Sequence, residues 1–170
     1  MSLKAELQTL LPFMSEIIKT SEWSSLLIDH KKPVIHRLFT EVRPGRTLYL
    51  HRLFHTGNEN AFMHSHSWNL ACALLSGQYE HGIGFASERD ATPKISFRTI
   101  TKAGDIYEVC DPNLFHYTKP IECTETYSVM LVGPRTRPRT SLNNSELNVT
   151  DQTNLLNWST NYFGKEMNDS

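Results

Sequence analysis

Two histidines separated by a single residue, His64 and His66, have the spacing in this chain that best suits chemistry. Residues at positions i and i+2 of a β-strand point to the same face, so an extended segment would direct both imidazoles toward one metal ion. A helix would spread them apart. A third histidine, His116, lies 50 residues beyond His66 and can join the pair only if the fold brings its strand alongside. The spacing therefore predicts a metal site that depends on the architecture of the whole domain.

From residue 34 onward the chain consists of short segments rich in β-branched and aromatic residues, separated by turn-forming pairs such as Pro44-Gly45 and Ser76-Gly77. Many short strands at this spacing indicate an antiparallel sandwich or barrel, so the predicted fold class is all-β. The predicted strands cover residues 34–42, 47–55, 61–75, 79–85, 94–100, 105–109 and 127–132.

Helical segments are predicted at both ends of the chain. Apolar residues recur near the helical period through the first twenty residues, where Pro12 bends the helix, and a second short helix is predicted to follow Thr20 or Ser21 and run through Leu27. A last short helix, capped by Asp151, is expected to pack on the barrel through Leu155, Leu156, Trp158 and Phe163. The predicted organisation is a helical extension at 1–33, a β-barrel at 34–133, and a loop and short helix at 134–170.

Composition limits the partners of the protein. A chain of 170 residues with 17 basic and 18 acidic residues, and a formal charge of −1, has no broad field to attract nucleic acid or an anionic membrane. No apolar run approaches the roughly 20 residues that cross a bilayer, and the first residues lack the continuous apolar region that is typical of a secretory signal. We therefore expect a cytoplasmic protein with reduced cysteines at Cys72, Cys110 and Cys123. The N-terminal helices are expected to cover a barrel edge or, alternatively, to form a homodimer contact.

The H-x-H spacing alone is a weak signal, because a chain with eight histidines often contains one by chance. Its surroundings form two motifs that resemble those of the cupin superfamily, which are small jelly-roll β-barrels. The resemblance covers residues 47–133, and it implies a jelly roll in which the histidines of both motifs bind one metal ion. The first motif comprises Gly57, His64, His66 and Gly77, and the second comprises Gly104, Pro112 and His116.

The sequence departs from ordinary cupins at one ligand. The metal-binding glutamate of the first motif would fall at Leu70 or Ala71, and neither side chain can bind a metal. The remaining three-histidine pattern is similar to that of thiol dioxygenases and diketone-cleaving cupins, in which iron(II) keeps open positions for substrate and O₂. The resemblance therefore implies a non-haem iron dioxygenase acting on a small anionic substrate.

Two other interpretations stay open. Histidine ligands also suit zinc, nickel or manganese, which would serve a metal-dependent isomerase, lyase or hydrolase of the same superfamily. A non-catalytic barrel that binds a small molecule is the third possibility, since fold does not determine function.

A candidate substrate-binding residue lies in the predicted strand at 47–55. If Leu48 and Leu50 point into the barrel, alternation points Arg52 inward with them, where its guanidinium could hold a substrate carboxylate. The alternative is a salt bridge at the barrel rim. His51 and His55 lie on the opposite face, so either they or Arg52 can face the metal, and we favour Arg52 because its face is more apolar.

Other side chains could assist at the site. Tyr107 and Tyr127 are candidates for a hydroxyl near O₂ or substrate. Glu80 and His81 follow Gly77 on alternate faces of the next strand, and either could be a fourth ligand, an acid/base group or a solvent-facing residue.

Overall fold

The protein is described by a computed structural model that covers residues 1–55, 57, 60–85, 93–111, 113–121, 125–135 and 145–166. Pro112 and Cys123 lie outside these residues. Three helices flank the strands: α1 (Leu3–Leu10) and α2 (Met14–Thr20), joined by a 3₁₀ turn at Leu11–Phe13, and α3 (Val149–Glu166). The ten strands are β1 (Ser24–Ile28), β2 (Ile35–Arg43), β3 (Arg46–Leu53), β4 (His64–Ser65), β5 (Leu70–Ser76), β6 (Gln78–Phe85), β7 (Lys94–Lys102), β8 (Ile106–Val109), β9 (Leu114–Pro120) and β10 (Thr126–Val132).

The strands form two antiparallel sheets. The larger sheet has the order β1-β2-β3-β10-β5-β8, and the smaller has the order β4-β9-β6-β7. Successive strands from β3 to β10 cross between the sheets, except for the hairpin of β6 and β7, and this order is that of an eight-stranded jelly roll. The predicted all-β jelly roll is therefore confirmed.

The larger sheet is buried on both of its faces. Its inner face packs inside the barrel through Tyr49, Leu70, Cys72, Met130 and Val132, whereas its outer face packs against the helices. Because both faces are buried, the strands of this sheet carry nearly continuous apolar runs rather than a simple alternation. The residues of the outer layer include Leu3, Leu7, Met14, Ile18, Leu48, Leu50, Ala71, Val129, Leu131, Leu155 and Phe163.

The segment predicted as a second helix is instead the edge strand β1. Leu27 lies opposite His36 of β2, and its N–H also donates to the carbonyl of Ser145 at 2.8 Å. Pairing with β2 along its length, with one further bridge from Leu27 to Ser145, supplies hydrogen bonds to this backbone, so tertiary pairing overrides the local helical pattern. The predicted helix at this position was wrong.

The C-terminal helix is present and longer than expected, at 18 residues. Asn148 rather than Asp151 caps it, because the Asn148 side chain accepts a hydrogen bond from the Asp151 N–H at 2.8 Å. Leu155 and Phe163 are buried as predicted, and Trp158 stacks on Tyr127 with ring centroids 3.7 Å apart. Among the described residues, no helix is long and apolar enough to cross a membrane.

The hairpin between β5 and β6 requires glycine at its turn. Gly77 has a φ of +77°, and a Cβ there would lie 2.8 Å from Thr126 Oγ1 and 3.0 Å from the carbonyl oxygen of Glu125. A side chain at this position would therefore be strained in its backbone and would collide with the start of β10. The turn therefore requires glycine at Gly77 of the first motif.

A buried carboxylate attaches α1 to the hairpin of β2 and β3. Glu6, which is 5% exposed, accepts hydrogen bonds from Arg43 Nη2 at 2.6 Å and from Arg46 Nε at 3.0 Å. Burial alone would raise the pKa of Glu6, but the hydrogen bonds and charges of Arg46 and Arg43 outweigh it, and the pKa is lowered. The ionised form of Glu6 therefore stabilises the fold.

Replacing this carboxylate should destabilise the protein in a pH-dependent way. We expect Glu6→Gln to lower the free energy of unfolding by about 1–3 kcal/mol at neutral pH, because two arginines lose a charged acceptor. Since the folded-state pKa is lowered, the contribution is present above the unfolded value of about 4.5 and is lost as the pH falls through the folded value. Urea unfolding between about pH 7 and pH 3 measures the change, which is expected below about pH 4.5. The exposed Glu16→Gln is the control, and a pH-independent loss for Glu6→Gln would contradict the ion pairs.

Candidate metal centre

The three predicted ligands meet where the short strand β4 pairs with β9. His64 lies directly opposite His116 in this antiparallel ladder, and β9 is held on its other side by β6, where Ile83 is opposite His116. His66 follows immediately after β4. The strand that carries His116 is thus placed beside the H-x-H pair, as the predicted metal site requires.

The imidazoles are close enough to share an ion. One ring nitrogen from each of His64, His66 and His116 lies within 4.8 Å of the other two. The Nε2 atoms of His66 and His116 are 2.8 Å apart, and the three ring centroids are separated by 4.8–4.9 Å. Two nitrogens each about 2.0–2.1 Å from one ion lie roughly 3 Å apart when they are at right angles, so the separation fits joint coordination.

Two of the imidazoles have a partner for the nitrogen that would not bind the ion. His64 Nδ1 lies 3.1 Å from the carbonyl oxygen of Phe62, which can only accept, so this nitrogen carries the proton. His116 Nδ1 lies 3.0 Å from His81 Nε2. Outer hydrogen bonds of this kind orient metal-binding histidines in proteins, and the bond to Phe62 leaves Nε2 of His64 available.

Burial keeps the three histidines neutral. Desolvation lowers the pKa of His64, and it lowers the pKa values of His66 and His116 well below the usual 6.5, with neighbouring positive charge adding to the effect. For His64, the hydrogen bond to Phe62 opposes this change only in part. Neutral imidazoles are the form that binds a divalent ion, so the donor set fits a metal.

Two cations lie beside the cluster. The charge of Arg37 lowers the pKa values of His51, His64 and His66, and the charge of Lys31 lowers that of His64. Arg37 Nε donates to His51 Nε2 at 2.8 Å, and its guanidinium lies over the Tyr49 ring at 4.8 Å. The surroundings of the histidines are therefore electropositive.

The expected orientation of Arg52 was wrong. Arg52 shares the face of Leu48 and Leu50, as alternation predicted, but that face packs under the helices rather than inside the barrel. Its guanidinium donates to both carboxylate oxygens of Glu125, with Nε to Oε2 at 2.9 Å. His51 occupies the inner face instead and is 6% exposed. Of the two roles predicted for Arg52, substrate binding and a salt bridge, the structure contains the salt bridge.

The two candidate tyrosines lie on different sides of the larger sheet. Tyr127 packs under α3 and donates to Glu125 Oε2 at 2.8 Å, so it is separated from the histidines by the sheet. Tyr107 lies inside the barrel, where its hydroxyl accepts from the Tyr79 hydroxyl at 2.9 Å and its ring is 4.6 Å from that of His81. Of the two, only Tyr107 lies on the face that the histidine cluster occupies.

Glu80 and His81 take opposite roles. Glu80 points outward, where it accepts a hydrogen bond from the Tyr117 hydroxyl and lies 3.9 Å from Arg98. His81 points inward and is 3% exposed. It contacts the Nδ1 edge of the His116 ring, on the far side from the Nε2 that faces His66, so it lies behind His116 rather than within the cluster.

Three features of the site were missed from the sequence. The sequence predicts Arg37 only as part of a strand, with no role at the site. It predicts that His51 faces away from the metal, and β9 is not among the predicted strands. The aromatic and β-branched residues Phe115, Tyr117 and Thr118 within Leu114–Pro120 are a signal that could have identified β9.

Metal titration tests whether these histidines form a binding site. We expect His64→Ala and His116→Ala each to raise the Kd for Co(II) by more than about 100-fold, because each removes a ligand. His55→Ala, at an exposed position outside the cluster, is the control and should bind like the wild type. Unchanged binding in both ligand variants would exclude the site.

The pH dependence of binding follows from the lowered pKa values. Protons compete for a histidine only below its pKa, so the Co(II) affinity of the wild type should change little between about pH 7.5 and 6.5. Isothermal titration calorimetry in this range measures it. A tenfold loss of affinity over that unit would indicate histidines with ordinary or raised pKa values.

Comparisons with known proteins find similarity in structure only. No family model matches the sequence. No curated protein matches it. Among solved structures, hydroxypropylphosphonic acid epoxidase from S. wedmorenis is 14% identical, with a TM-score of 0.47 over 64% of this chain and 55% of its own. KdgF from Halomonas sp. is also 14% identical, with a TM-score of 0.47 over 64% of this chain and 86% of its own.

An RmlC-like cupin from Shewanella frigidimarina is 13% identical, with a TM-score of 0.45 over 68% of this chain and 86% of its own. This chain thus spans little more than half of the epoxidase and most of the two shorter proteins. The order of strands β3 to β10 establishes the jelly roll without these likenesses. The chain therefore has a jelly-roll fold, which is the fold that the resemblance of its two histidine motifs implies.

Proposed function

We propose that the protein is a non-haem iron dioxygenase that binds Fe(II) through His64, His66 and His116 and oxidises a small anionic substrate of the thiol or diketone class. The observation that supports this most is the convergence of three neutral imidazoles, of which His116 is buried and His64 and His66 are half-buried, beside two cationic side chains. Within the part of the chain that the structure describes, the cluster contains no carboxylate.

The ligand set decides which substrates are attracted. Fe(II) held by three neutral ligands keeps its full charge, leaves coordination positions open and supplies the redox chemistry with O₂. Arg37 and Lys31 add positive charge at the same place. An anion such as a carboxylate, thiolate or enolate therefore gains attraction from the chain as well as from the ion.

Arg37 replaces Arg52 as the proposed anchor of the substrate. The bond from Arg37 Nε to His51 Nε2 and the Tyr49 ring hold the guanidinium at the inner face of the barrel. His51 is neutral because burial and the Arg37 charge lower its pKa well below 6.5, so it can accept this bond at physiological pH. The side chains of Arg37 and His51 thus orient an anion next to the histidine cluster.

Oxygen consumption tests the reaction. Protein loaded with Fe(II) under anaerobic conditions is expected to take up O₂ when small thiols or diketones are added, and the product should contain both atoms of ¹⁸O₂. His64→Ala, loaded in the same way, should show only background uptake.

Two outcomes would contradict the proposal. One is the absence of uptake above the His64→Ala background across both substrate classes. The other is a redox-inert ion, such as zinc, in protein purified without added metal and active in that form, which would support an isomerase, lyase or hydrolase instead.

The role of Arg37 is tested by substrate affinity. Arg37→Gln should raise the KM for the anionic substrate by about 10–100-fold, because it removes a charge-assisted hydrogen-bond donor. Arg98→Gln removes a charge from the exposed outer face of β7 and is the matched control. An increase in KM with Arg52→Gln but not with Arg37→Gln would restore Arg52 as the anchor.

A further inference from the structure

His81 is a buried histidine in contact with the histidine cluster, and the proposed chemistry does not use it. Its side chain is 3% exposed, and its Nε2 lies 3.0 Å from His116 Nδ1. The two residues come from neighbouring strands, β6 and β9, in which His81 lies opposite Thr118. The contact therefore joins residues that the sheet hydrogen bonds already hold in register.

The direction of this hydrogen bond determines which nitrogen of His116 can bind an ion. A neutral imidazole carries one proton, so one ring nitrogen donates and the other has a free lone pair. If His81 donated to His116 Nδ1, the His116 proton would lie on Nε2, which is the nitrogen facing His66. If His81 accepts, the proton lies on Nδ1, and the Nε2 lone pair is directed into the cluster.

The surroundings of His81 fix its ring. The Tyr107 ring packs against it with centroids 4.6 Å apart, and Thr99 of β7 lies opposite it in the sheet. On the side of Tyr107, His81 also lines a cavity of about 300 Å³, and the three clustered histidines are not among the residues lining that cavity. His81 thus separates His116 from the cavity, and its position is set by packing that does not involve an ion.

We infer that His81 is a positioning residue that accepts the Nδ1 proton of His116 and so holds the Nε2 lone pair of His116 toward His64 and His66. The inference rests on the proposed metal site and adds a residue that no ligand motif contains. His81 does not bind the ion itself, because it meets His116 at the opposite edge of the ring. Outer partners of this kind change metal affinity by about 10–100-fold in other proteins.

Co(II) titration of full-length variants separates positioning from packing. His81→Leu removes the acceptor and should raise the Kd for Co(II) by about 10–100-fold. His81→Gln, whose side-chain carbonyl can still accept from His116 Nδ1, should retain most of the affinity. His36→Leu replaces another largely buried histidine, on the far side of the larger sheet, and should lower thermal stability without weakening Co(II) binding.

NMR of the wild-type protein locates the His116 proton directly, and the same measurement on His81→Leu shows whether His81 controls it. In ¹⁵N-labelled, metal-free wild-type protein, long-range ¹H–¹⁵N NMR spectra should show His116 protonated at Nδ1, and in His81→Leu the Nε2-protonated form should increase. A wild-type His116 protonated at Nε2 would overturn the inference, even if His81→Leu failed to fold.

The remaining outcomes distinguish the two proposals. Wild-type protein that binds no Co(II) would contradict the metal site and the inference together. Tight wild-type binding that His81→Leu leaves unchanged would overturn only the role of His81, as would equal weakening by His81→Gln and His81→Leu.

Discussion

The antiparallel pairing of β4 with β9 is the interaction on which the histidine cluster depends. A strand of two residues has little stability of its own, so its position is set by the seven-residue strand beside it. The ladder of β4 and β9 places His116 opposite His64, and the ladder of β6 and β9 places it next to His81. A shift of one residue in either ladder would turn His116 out of the barrel, because neighbouring residues of a strand face opposite sides.

Burial gives this arrangement its chemical character. In the barrel interior the cost of desolvation keeps the imidazoles neutral, and the same low polarity strengthens the influence of the nearby charges. Glu6, a buried carboxylate of α1, is paired with two arginines on the opposite side of the larger sheet. Arg52 is likewise paired with Glu125 on that side. The charges of Arg37 and Lys31 therefore act on a cluster that, among the described residues, contains no carboxylate.

The sequence predicted the histidine cluster better than its surroundings. The i and i+2 spacing of His64 and His66, with the downstream motif of His116, was sufficient to predict that the three side chains converge, because the ligands of one ion must share one point in space. The phase of β3 could not be inferred, since Leu48 and Leu50 pack under helices while Tyr49 and His51 pack inside the barrel, and both faces look apolar. The edge strand β1 was misassigned because its pairing with β2 is a long-range interaction that local propensity does not report.

X-ray absorption and anomalous scattering on crystals of the Fe(II)-loaded protein test the central claim most directly. The account predicts one iron per chain, with three imidazole nitrogens at about 2.0–2.2 Å that belong to His64, His66 and His116, and no carboxylate ligand from the chain. An iron bound elsewhere, or bound at the cluster without His116, would contradict it.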